Sequence, residues 1–299
     1  MSDIPVSKSK LKWVILLATF AFLYIPIIIL IIYSFNESRL VAVWAGFSTK
    51  WYGALFHDSL LMNGIRLSLT IGLLAASTAV VMGTIAAFVL NRMGTFKGET
   101  LFSFMIGAPL VMPDVIIGLA MLLLFIALGQ VFSLFANRGI LTIWIAHVTF
   151  CTSYVYVVVS SRLREVDRSI EEAAMDLGAP PWKVFFLITL PSIFPAIIAG
   201  WLLAFTLSLD DLVITSFVSG PSSTTLPIAV FSSVRLGLSP KINALATIIV
   251  IVVSIATLIA WGLMSRSEKR RQQEIRAAQR DEQLVTPAHH GSVDIAKGA

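Results

Sequence analysis

Three aspartates lie within segments of the chain that are otherwise apolar enough to cross a membrane: Asp114, Asp210 and Asp211. Ionisable side chains are costly inside a bilayer, so each of these residues is a candidate for a functional role. Few basic residues lie in the same segments to neutralise them, and a path lined by acids suits a cation. The structural alternative is that the carboxylates cap or bridge the ends of broken helices.

The neighbours of these aspartates indicate how each one is presented. Asp114 follows Met112 and Pro113, and a proline weakens a helix and frees backbone groups that must find partners. Asp210 and Asp211 are adjacent, and successive helical positions point about 100° apart. We therefore expect one of this pair to face the path and the other to pair with a neighbouring helix.

A polar stretch, Glu172 to Pro191, separates two blocks of membrane-grade hydrophobicity. Asp167 and Ser169, just before it, are good helix N-cap residues, and Ser169 with Glu172 fits a capping box. Gly178 is expected to end this helix with a positive φ. The stretch therefore predicts a short helix followed by a turn.

The second half of the stretch predicts another helix. Pro181 can open it, and it would meet the membrane at Pro191. In the first helix, Ala173 and Ala174 form a face with almost no side-chain relief, which would let a partner approach the backbone closely. A helix, a turn and a helix of this kind form a shape suited to docking.

The spacing of this stretch resembles, at every specified position, the EAA motif of the permease subunits of bacterial ABC importers. The residues assigned to ATPase coupling are Glu172, Ala173, Ala174, Asp176, Gly178, Ile188, Leu190 and Pro191. The resemblance implies that the loop is a coupling helix seated in a cleft of a cytoplasmic ATPase subunit. The alternative is that any loop between two spans requires a capped, turn-rich polar sequence.

The composition is that of a polytopic membrane protein, because 57% of the 299 residues are hydrophobic, 13% are charged and the mean hydropathy is +0.87. The sequence predicts an all-α fold with six spans, near 13–35, 65–90, 101–127, 140–160, 191–217 and 242–264. The first block is too long for a signal peptide and no cleavage site follows it, so we expect an uncleaved span. Cys151 is the single cysteine, which excludes a disulfide within the chain.

The basic residues fall unequally on the two sides of the predicted spans. Of the 22 lysines and arginines, sixteen lie on the side of the amino terminus and six on the other. Such an excess marks the cytoplasmic side, so both termini and the loop 161–190 are expected in the cytoplasm. We assign residues 1–280 to a transmembrane permease domain and 281–299 to a disordered tail of low hydrophobicity.

The chain lacks the residues that catalysis would need. It contains no GxxxxGK[ST] phosphate-binding loop, so if the chain is a component of a pump, nucleotide hydrolysis must come from another polypeptide. His147, one helical turn before Cys151, is interpreted as a core histidine bonded to a neighbouring span rather than as a catalytic base. His289 and His290 are interpreted as an accident of the tail's composition, and no metal or cofactor is assigned to this chain.

A second polar stretch, 219–241, lies on the predicted outer side. Thr225 and Pro227 predict a helix that runs through Arg235 and ends at Gly237. Because the stretch is longer than a connector needs to be, we expect it to form a binding surface for an external partner.

Over residues 5–280 the chain resembles the second permease subunit of bacterial polyamine importers, and in particular its putrescine type. The segments that carry the resemblance are FLYIPIIILIIYSFN, TFCTSYVYVVVSSRLRE, EEAAMDLGAPPWKVFFLITLP and GWLLAFTLSLDDLVITSFVSGPSSTTLP. The resemblance implies a type I (MetI-like) fold in the inner membrane and a heterodimer with a related permease. It also implies two copies of a cytoplasmic ATPase that holds ATP and Mg, a periplasmic polyamine-binding protein, and no nucleic-acid partner.

Two other classes of protein are alternatives to this one. An ion-coupled secondary transporter of small organic cations would show internal inverted repeats, and none is evident in the sequence. A membrane enzyme would need a catalytic cluster, and the sequence contains none. Putrescine and spermidine both remain open as substrates.

Overall fold

The computed structural model describes residues 10–39, 43–237, 239–255, 257–259 and 262. Their regular secondary structure is helical, apart from one isolated antiparallel bridge between Asn36 and Phe47. The predicted disordered tail, 281–299, lies outside these residues, and so does the histidine pair within it.

The chain is organised as a series of helices with short connections. In chain order they are α1 (Lys10–Ser34), α2 (Lys50–Phe56), α3 (Ser59–Arg92), α4 (Glu99–Val111), α5 (Asp114–Val131), α6 (Ile140–Glu165), α7 (Arg168–Asp176), α8 (Pro181–Val184), α9 (Leu190–Asp210), α10 (Val213–Val218), α11 (Leu226–Leu236) and α12 (Pro240–Ile259). A π-helical turn, Phe185–Thr189, joins α8 to α9.

Within the described residues, six helical segments are long and apolar enough to cross a membrane. They are α1, α3, α5, α6, the continuous α8–α9 helix and α12. The prediction of an all-α protein with six membrane spans is therefore confirmed.

The prediction of one continuous helix over 101–127 is wrong, because this segment forms two helices, α4 and α5. Met112 is extended (φ −83°, ψ 136°), and so is Pro113 (φ −59°, ψ 138°). A proline disfavours helical backbone at the preceding residue and has no N–H to donate. The Pro113 carbonyl instead accepts the first backbone hydrogen bonds of α5, and Asp114 becomes the first residue of that helix.

The prediction of a span over 191–217 also needs correction. A continuous helix runs from Pro181 to Asp210, so it both begins and ends earlier than predicted. Asp211 is extended (φ −65°, ψ 120°), and α10 follows it as a separate short helix. Asp210 and Asp211 are therefore not adjacent helical positions, because only Asp210 lies in a helix.

The π turn lies where this helix leaves the coupling loop. The Leu190 N–H donates to the carbonyl of Phe185, five residues back instead of four. Pro191 follows directly and has no N–H with which to continue the α-helical pattern. Single π turns of this kind inside α-helices are frequent at functional sites.

α3, α6 and α9 pack against one another and form the centre of the bundle. Gly83 allows α3 to approach α6 closely, since a Cβ atom on it would lie 2.8 Å from Val155 Cβ. A Cβ atom on Gly200 of α9 would lie 3.3 Å from Val155 Cγ1. Small residues at such crossings let helix backbones come together inside a membrane. This centre connects the coupling loop with the segments that carry the aspartates.

α1 packs little against the rest of the chain, and its apolar side chains are exposed along its length. The loop after it is fastened to its end. Trp51 Nε1 donates to the Asn36 carbonyl (2.7 Å), and the Ser34 and Tyr52 hydroxyls are hydrogen-bonded at 2.7 Å. These contacts hold α2 against the end of α1. The exposed apolar face of α1 itself suits contact with lipid or with another subunit.

Candidate coupling and substrate-path sites

The coupling loop begins with a capped helix. The Asp167 carboxylate accepts a hydrogen bond from the Ser169 N–H (2.9 Å), so Asp167 is the N-cap of α7. This hydrogen bond lowers the pKa of the exposed Asp167 side chain below its usual value. Of the two predicted N-cap residues the structure uses Asp167, and the capping box of Ser169 with Glu172 is not the start of the helix.

Gly178 ends α7 as predicted. Its φ is +88°, its N–H donates to the Met175 carbonyl (2.9 Å), and the Ala179 N–H donates to the Ala174 carbonyl (3.0 Å). This pair of hydrogen bonds is a Schellman motif, in which the left-handed residue is usually glycine because it has no Cβ. Pro181 then opens the next helix, so the predicted order of helix, turn and helix is confirmed.

The coupling residues divide into an outward group and a group that joins the loop to the bundle. Most of the outward group, namely Glu172, Ala173, Asp176 and Gly178, is exposed, and Ala174 is half-buried. In the joining group, at the start of α9, Ile188 and Leu190 are half-buried and Pro191 is exposed.

Large apolar side chains project from this otherwise polar loop. Leu177 is 89% exposed and Trp182 is 62% exposed. Apolar groups that project from a polar segment are typical of protein contact surfaces. The outward side of the loop thus has the small and apolar groups that a docked partner would cover.

The sequence did not indicate that two charged residues of this region form a site. Arg92, at the end of α3, and Glu171, in α7, form an ion pair with Nε and Oε2 2.9 Å apart, and their side chains are only 7% and 10% exposed. The position of Glu171 next to the EAA motif was the one available signal. For Arg92 the sequence indicates only that it belongs to the excess of basic residues on one side of the membrane. Nothing in the local sequence shows which carboxylate it pairs with.

The three predicted path aspartates, which come from two separate segments, line one cavity of about 280 Å³. The other residues around it are Phe150, Tyr154, Leu207, Leu212, Val213 and Ile214. The cavity lies where α5 begins and α9 ends, so both helix breaks open onto it. The two breaks and the three carboxylates therefore belong to a single site.

Within this cavity, Asp211 is engaged with the protein itself. Its Oδ2 accepts hydrogen bonds from the Thr215 N–H (2.7 Å) and hydroxyl (2.6 Å), and its Oδ1 accepts from the Ile214 N–H (3.2 Å). Its side chain is only 8% exposed. Asp211 thus caps the first turn of α10, which is the structural arrangement weighed in the sequence analysis.

His147 is buried beside this cap. Its Nδ1 lies 2.6 Å from Ser208 Oγ and its Nε2 lies 2.9 Å from Thr215 Oγ1. Because the Thr215 hydroxyl donates its one proton to Asp211, the Nε2 atom must be the donor toward Thr215. The prediction of a core histidine bonded to a neighbouring span is confirmed, and the Cys151 thiol bonds instead to the Ala204 carbonyl.

Asp114 and Asp210 differ from Asp211. Both side chains are exposed to the cavity, and among the described residues neither is hydrogen-bonded or ion-paired to another side chain. Of the adjacent pair, Asp210 therefore presents to the cavity a carboxylate free of side-chain partners among the described residues, and Asp211 pairs with neighbouring helices. The aromatic rings of Phe150 and Tyr154 line the same space.

The helical bundle, the exposed polar loop and the polar cavity fit a membrane transport subunit. Residues 79–273 match the family described as the binding-protein-dependent transport system inner membrane component. The chain belongs to this family. It is an inner-membrane transport subunit of a binding-protein-dependent system, and not an enzyme.

Proteins of known name are similar over most of this chain. The putrescine transport system permease protein PotI of Escherichia coli (strain K12) is 64% identical over 280 residues, which cover 94% of this chain and 100% of that protein. The spermidine/putrescine transport system permease protein PotC of the same organism is 42% identical over 253 residues, covering 85% of this chain and 93% of that protein.

Solved structures show the same fold at low sequence identity. A bacterial ABC transporter involved in the import of the acidic polysaccharide alginate matches with a TM-score of 0.63 and 16% identity, covering 86% of this chain and 94% of that one. The fold is therefore that of a type I (MetI-like) ABC importer permease, as predicted. These matches give no support to the alternative of an ion-coupled secondary transporter.

Proposed function

We propose that this chain is one of two related permease subunits of an ATP-driven importer that moves polyamines, putrescine and also spermidine, across the inner membrane into the cytoplasm. The observation that carries the proposal is the pair of free carboxylates, Asp114 and Asp210, on one cavity. The names of the similar permeases agree with this class of substrate.

The chemistry of the cavity suits a small polycation. A diamine that loses part of its hydration needs anionic or strongly polar partners, and carboxylates supply charge-assisted hydrogen bonds to ammonium groups. Tyr154 and Phe150, which also line the cavity, are aromatic residues of the kind that attract cations. The cavity of about 280 Å³ admits a slender chain with two such groups. The acids therefore favour a dication over a neutral solute.

In the proposed assembly, the coupling loop docks on a cytoplasmic ATPase. The assembly contains this chain, a related permease, two copies of the ATPase and a periplasmic polyamine-binding protein. ATP and Mg are held by the ATPase and no cofactor is held by this chain. Both termini lie in the cytoplasm, on the same side as the loop, in agreement with the excess of basic residues there.

Transport follows an alternating-access cycle. ATP binding closes the ATPase pair and draws the two coupling loops together, and the membrane helices then rock to expose the cavity outward. Hydrolysis resets the assembly. The permease holds the substrate weakly, because selectivity resides in the binding protein and a deep energy well would slow release.

The proposal is tested by reconstituting the complete importer into vesicles with the binding protein outside. Uptake of radiolabelled putrescine is expected to require internal ATP and to be inhibited by spermidine, whereas butylamine, which carries one positive charge, inhibits poorly. Removal of ATP with the ion gradients kept should abolish uptake. Uptake that continues without ATP would contradict the importer, and equal inhibition by butylamine would contradict a dication as the substrate of the importer.

A further inference from the structure

Arg92, the last residue of α3, connects three helices at the coupling-loop end of the bundle. Its Nη2 atom donates to the carbonyls of Leu163 (3.0 Å) and Val166 (3.1 Å), at the carboxyl end of α6. These carbonyls have no partner within their own helix and lie at the negative end of its dipole, so a guanidinium is well placed there. The Nε atom of the same group lies 2.9 Å from Glu171 Oε2 in α7.

Glu171 extends the connection to α9. Its Oε1 atom accepts a hydrogen bond from the Thr189 hydroxyl (2.8 Å), and Thr189 is the last residue of the π turn. The backbone of Glu171 belongs to α7, the proposed docking helix, but its side chain is buried. One carboxylate thus joins the docking helix to the ends of two spanning helices.

The neighbouring arginines have partners other than Glu171. Arg164 Nε donates to Asn91 Oδ1 (3.0 Å), and an Arg168 Nη2 donates to the Asn91 carbonyl. Arg162 pairs with Glu165 on the exposed surface of α6 (2.8 Å). Among the described residues, no other acid is ion-paired with Arg92.

A cavity of about 330 Å³ lies beside this ion pair, between α7 and the end of α3. Phe88 and Met93 line it from α3 and its end, and Glu172 and Met175 line it from α7. Because open space lies between these parts of the two elements, the buried ion pair bridges them where packed side chains do not. A displacement of α7 relative to α3 would therefore act on this ion pair, and also on the hydrogen bond from Arg168 of α7 to the Asn91 carbonyl of α3.

We propose that the Arg92–Glu171 ion pair transmits the displacement of the docking helix to α3 and α6, and that Thr189 brings α9 into the same movement. A buried ion pair moves as a unit, since separating it leaves an uncompensated charge in a medium of low polarity. Arg92 and Glu171 are positioning residues that touch neither nucleotide nor substrate. The inference rests on the proposed docking of the loop on an ATPase, but not on which solute is carried.

The test compares Glu171→Gln with a matched control, Glu165→Gln, in the complete reconstituted importer. The control removes an exposed carboxylate of an ion pair six residues away on the same side of the bundle. Solute uptake and ATP hydrolysis are measured together on complexes shown to contain all subunits. In Glu171→Gln the number of solute molecules carried per ATP is expected to fall by about tenfold, which is within the range of ordinary coupling energies. The control is expected to keep the parental ratio.

A second variant tests whether a loss of coupling is caused by misfolding alone. Arg92→Met with Glu171→Met replaces the buried ion pair by apolar side chains, an exchange that often preserves folding. It is expected to assemble, to hydrolyse ATP and to lose the response of hydrolysis to the loaded binding protein. A Thr189→Val variant should show a smaller loss of the same kind.

A parental ratio of uptake to hydrolysis in an assembled Glu171→Gln or double-Met importer would overturn the inference. Failure of both variants to assemble would overturn it too, because the pair would then serve folding alone. The unaltered importer separates this result from a failure of the proposed function. If it shows no ATP-dependent polyamine uptake, the function is wrong, whereas normal parental uptake with fully coupled variants counts only against the ion pair.

Discussion

The carboxylate of Asp211 and the imidazole of His147 lie 3.3 Å apart, from Oδ2 to Nε2, and their side chains are 8% and 1% exposed. Asp211 follows the end of α9 and His147 lies in α6. The contact therefore holds the break between α9 and α10 against the centre of the bundle. Asp210, the preceding residue, has no such partner among the described residues and is directed at the cavity. The two adjacent aspartates therefore have different roles, and their asparagine variants should differ in their effects on stability and on uptake.

For the free carboxylates, Asp114→Asn and Asp210→Asn should each reduce polyamine uptake while the importer still assembles. Asparagine keeps the shape of the side chain but not its charge. A hydrogen bond to a charged group contributes about 1.5–3 kcal/mol, so uptake should fall by about 10- to 100-fold. Uptake of labelled putrescine per assembled complex is the measurement. Parental rates in both variants would leave the substrate assignment dependent on similarity alone.

For the capping carboxylate, Asp211→Asn should weaken the protein more than it slows transport. The variant loses one acceptor for Thr215 and the negative charge beside His147. Partly unsatisfied buried groups cost about 1–3 kcal/mol, which should appear as a lower thermal midpoint of the purified complex. Uptake per surviving complex should stay near the parental value. A stable Asp211→Asn importer with selective loss of uptake would instead place Asp211 on the path.

In the coupling loop, Gly178→Val should impair ATPase docking. The residue has φ +88°, and left-handed backbone costs about 1–2 kcal/mol for a residue with a Cβ. The Schellman turn should then reorganise and misplace the Ala173 and Ala174 face, so that less ATPase co-purifies. Gly178→Asn is the control, because asparagine tolerates this conformation. Native co-purification and transport by the valine variant would show that the loop does not dock.

At the site itself, Gly118→Ala should disturb the contact between α5 and α10. A Cβ atom at this position would lie 2.6 Å from Phe217 Cδ2 and 3.2 Å from Ile214 Cα. Overpacking of this kind costs about 1–3 kcal/mol, and Ile214 lines the cavity. Both thermal stability and uptake should fall. Gly107→Ala is the control, since a Cβ there meets nothing within 4 Å; equal behaviour of the two variants would contradict the close approach.

At the other end of the bundle from the coupling loop, Arg235→Glu should weaken the stimulation of ATP hydrolysis by the binding protein. α11 ends at Gly237 as predicted, and the exposed Arg235 guanidinium stacks on the Phe231 ring, with its carbon 4.6 Å from the ring centre. Charge reversal at the rim of an interface mainly slows association. Binding-protein-stimulated ATP hydrolysis should therefore fall while basal hydrolysis is unchanged, and Arg235→Lys should behave as the parent. Equal stimulation of all three proteins would indicate a purely structural helix.

The coupling loop shows what a local sequence is able to predict. The positive φ at Gly178, the helix that opens at Pro181 and the docking face of Ala173 and Ala174 follow from the backbone limits of glycine and proline and from side-chain size. The six spans follow from hydropathy in the same way, because a bilayer demands a minimum run of apolar residues. The structure has the positive φ at Gly178, the helix from Pro181 and six spanning helices, whereas the bounds of the third and fifth spans differ from the predicted ones and the docking role of the alanine face stays a prediction.

The sequence also identified Asp114, Asp210 and Asp211 as unusual, since a charge in an apolar span is costly wherever the span is packed. It did not identify the helix end at Asp210, because apolar residues continue on both sides of the two aspartates. Only the tertiary structure shows that Asp210 and Asp211 have different surroundings. The partners of Asp211 include His147, which lies 64 residues earlier in the chain, and the Thr215 hydroxyl of α10.

The ion pair of Arg92 and Glu171 was decided by the tertiary structure alone. Its two residues are far apart in the chain and each looks like an ordinary charge at the end of a span or in a loop. What buries them is the convergence of α3, α6 and the π turn before α9 on one point. The sequence by itself determined the number of membrane spans and the helix, turn and helix of the loop proposed for docking, because those properties are local. Which charges are free and which are paired depends on packing between distant helices, and only the folded structure settles it.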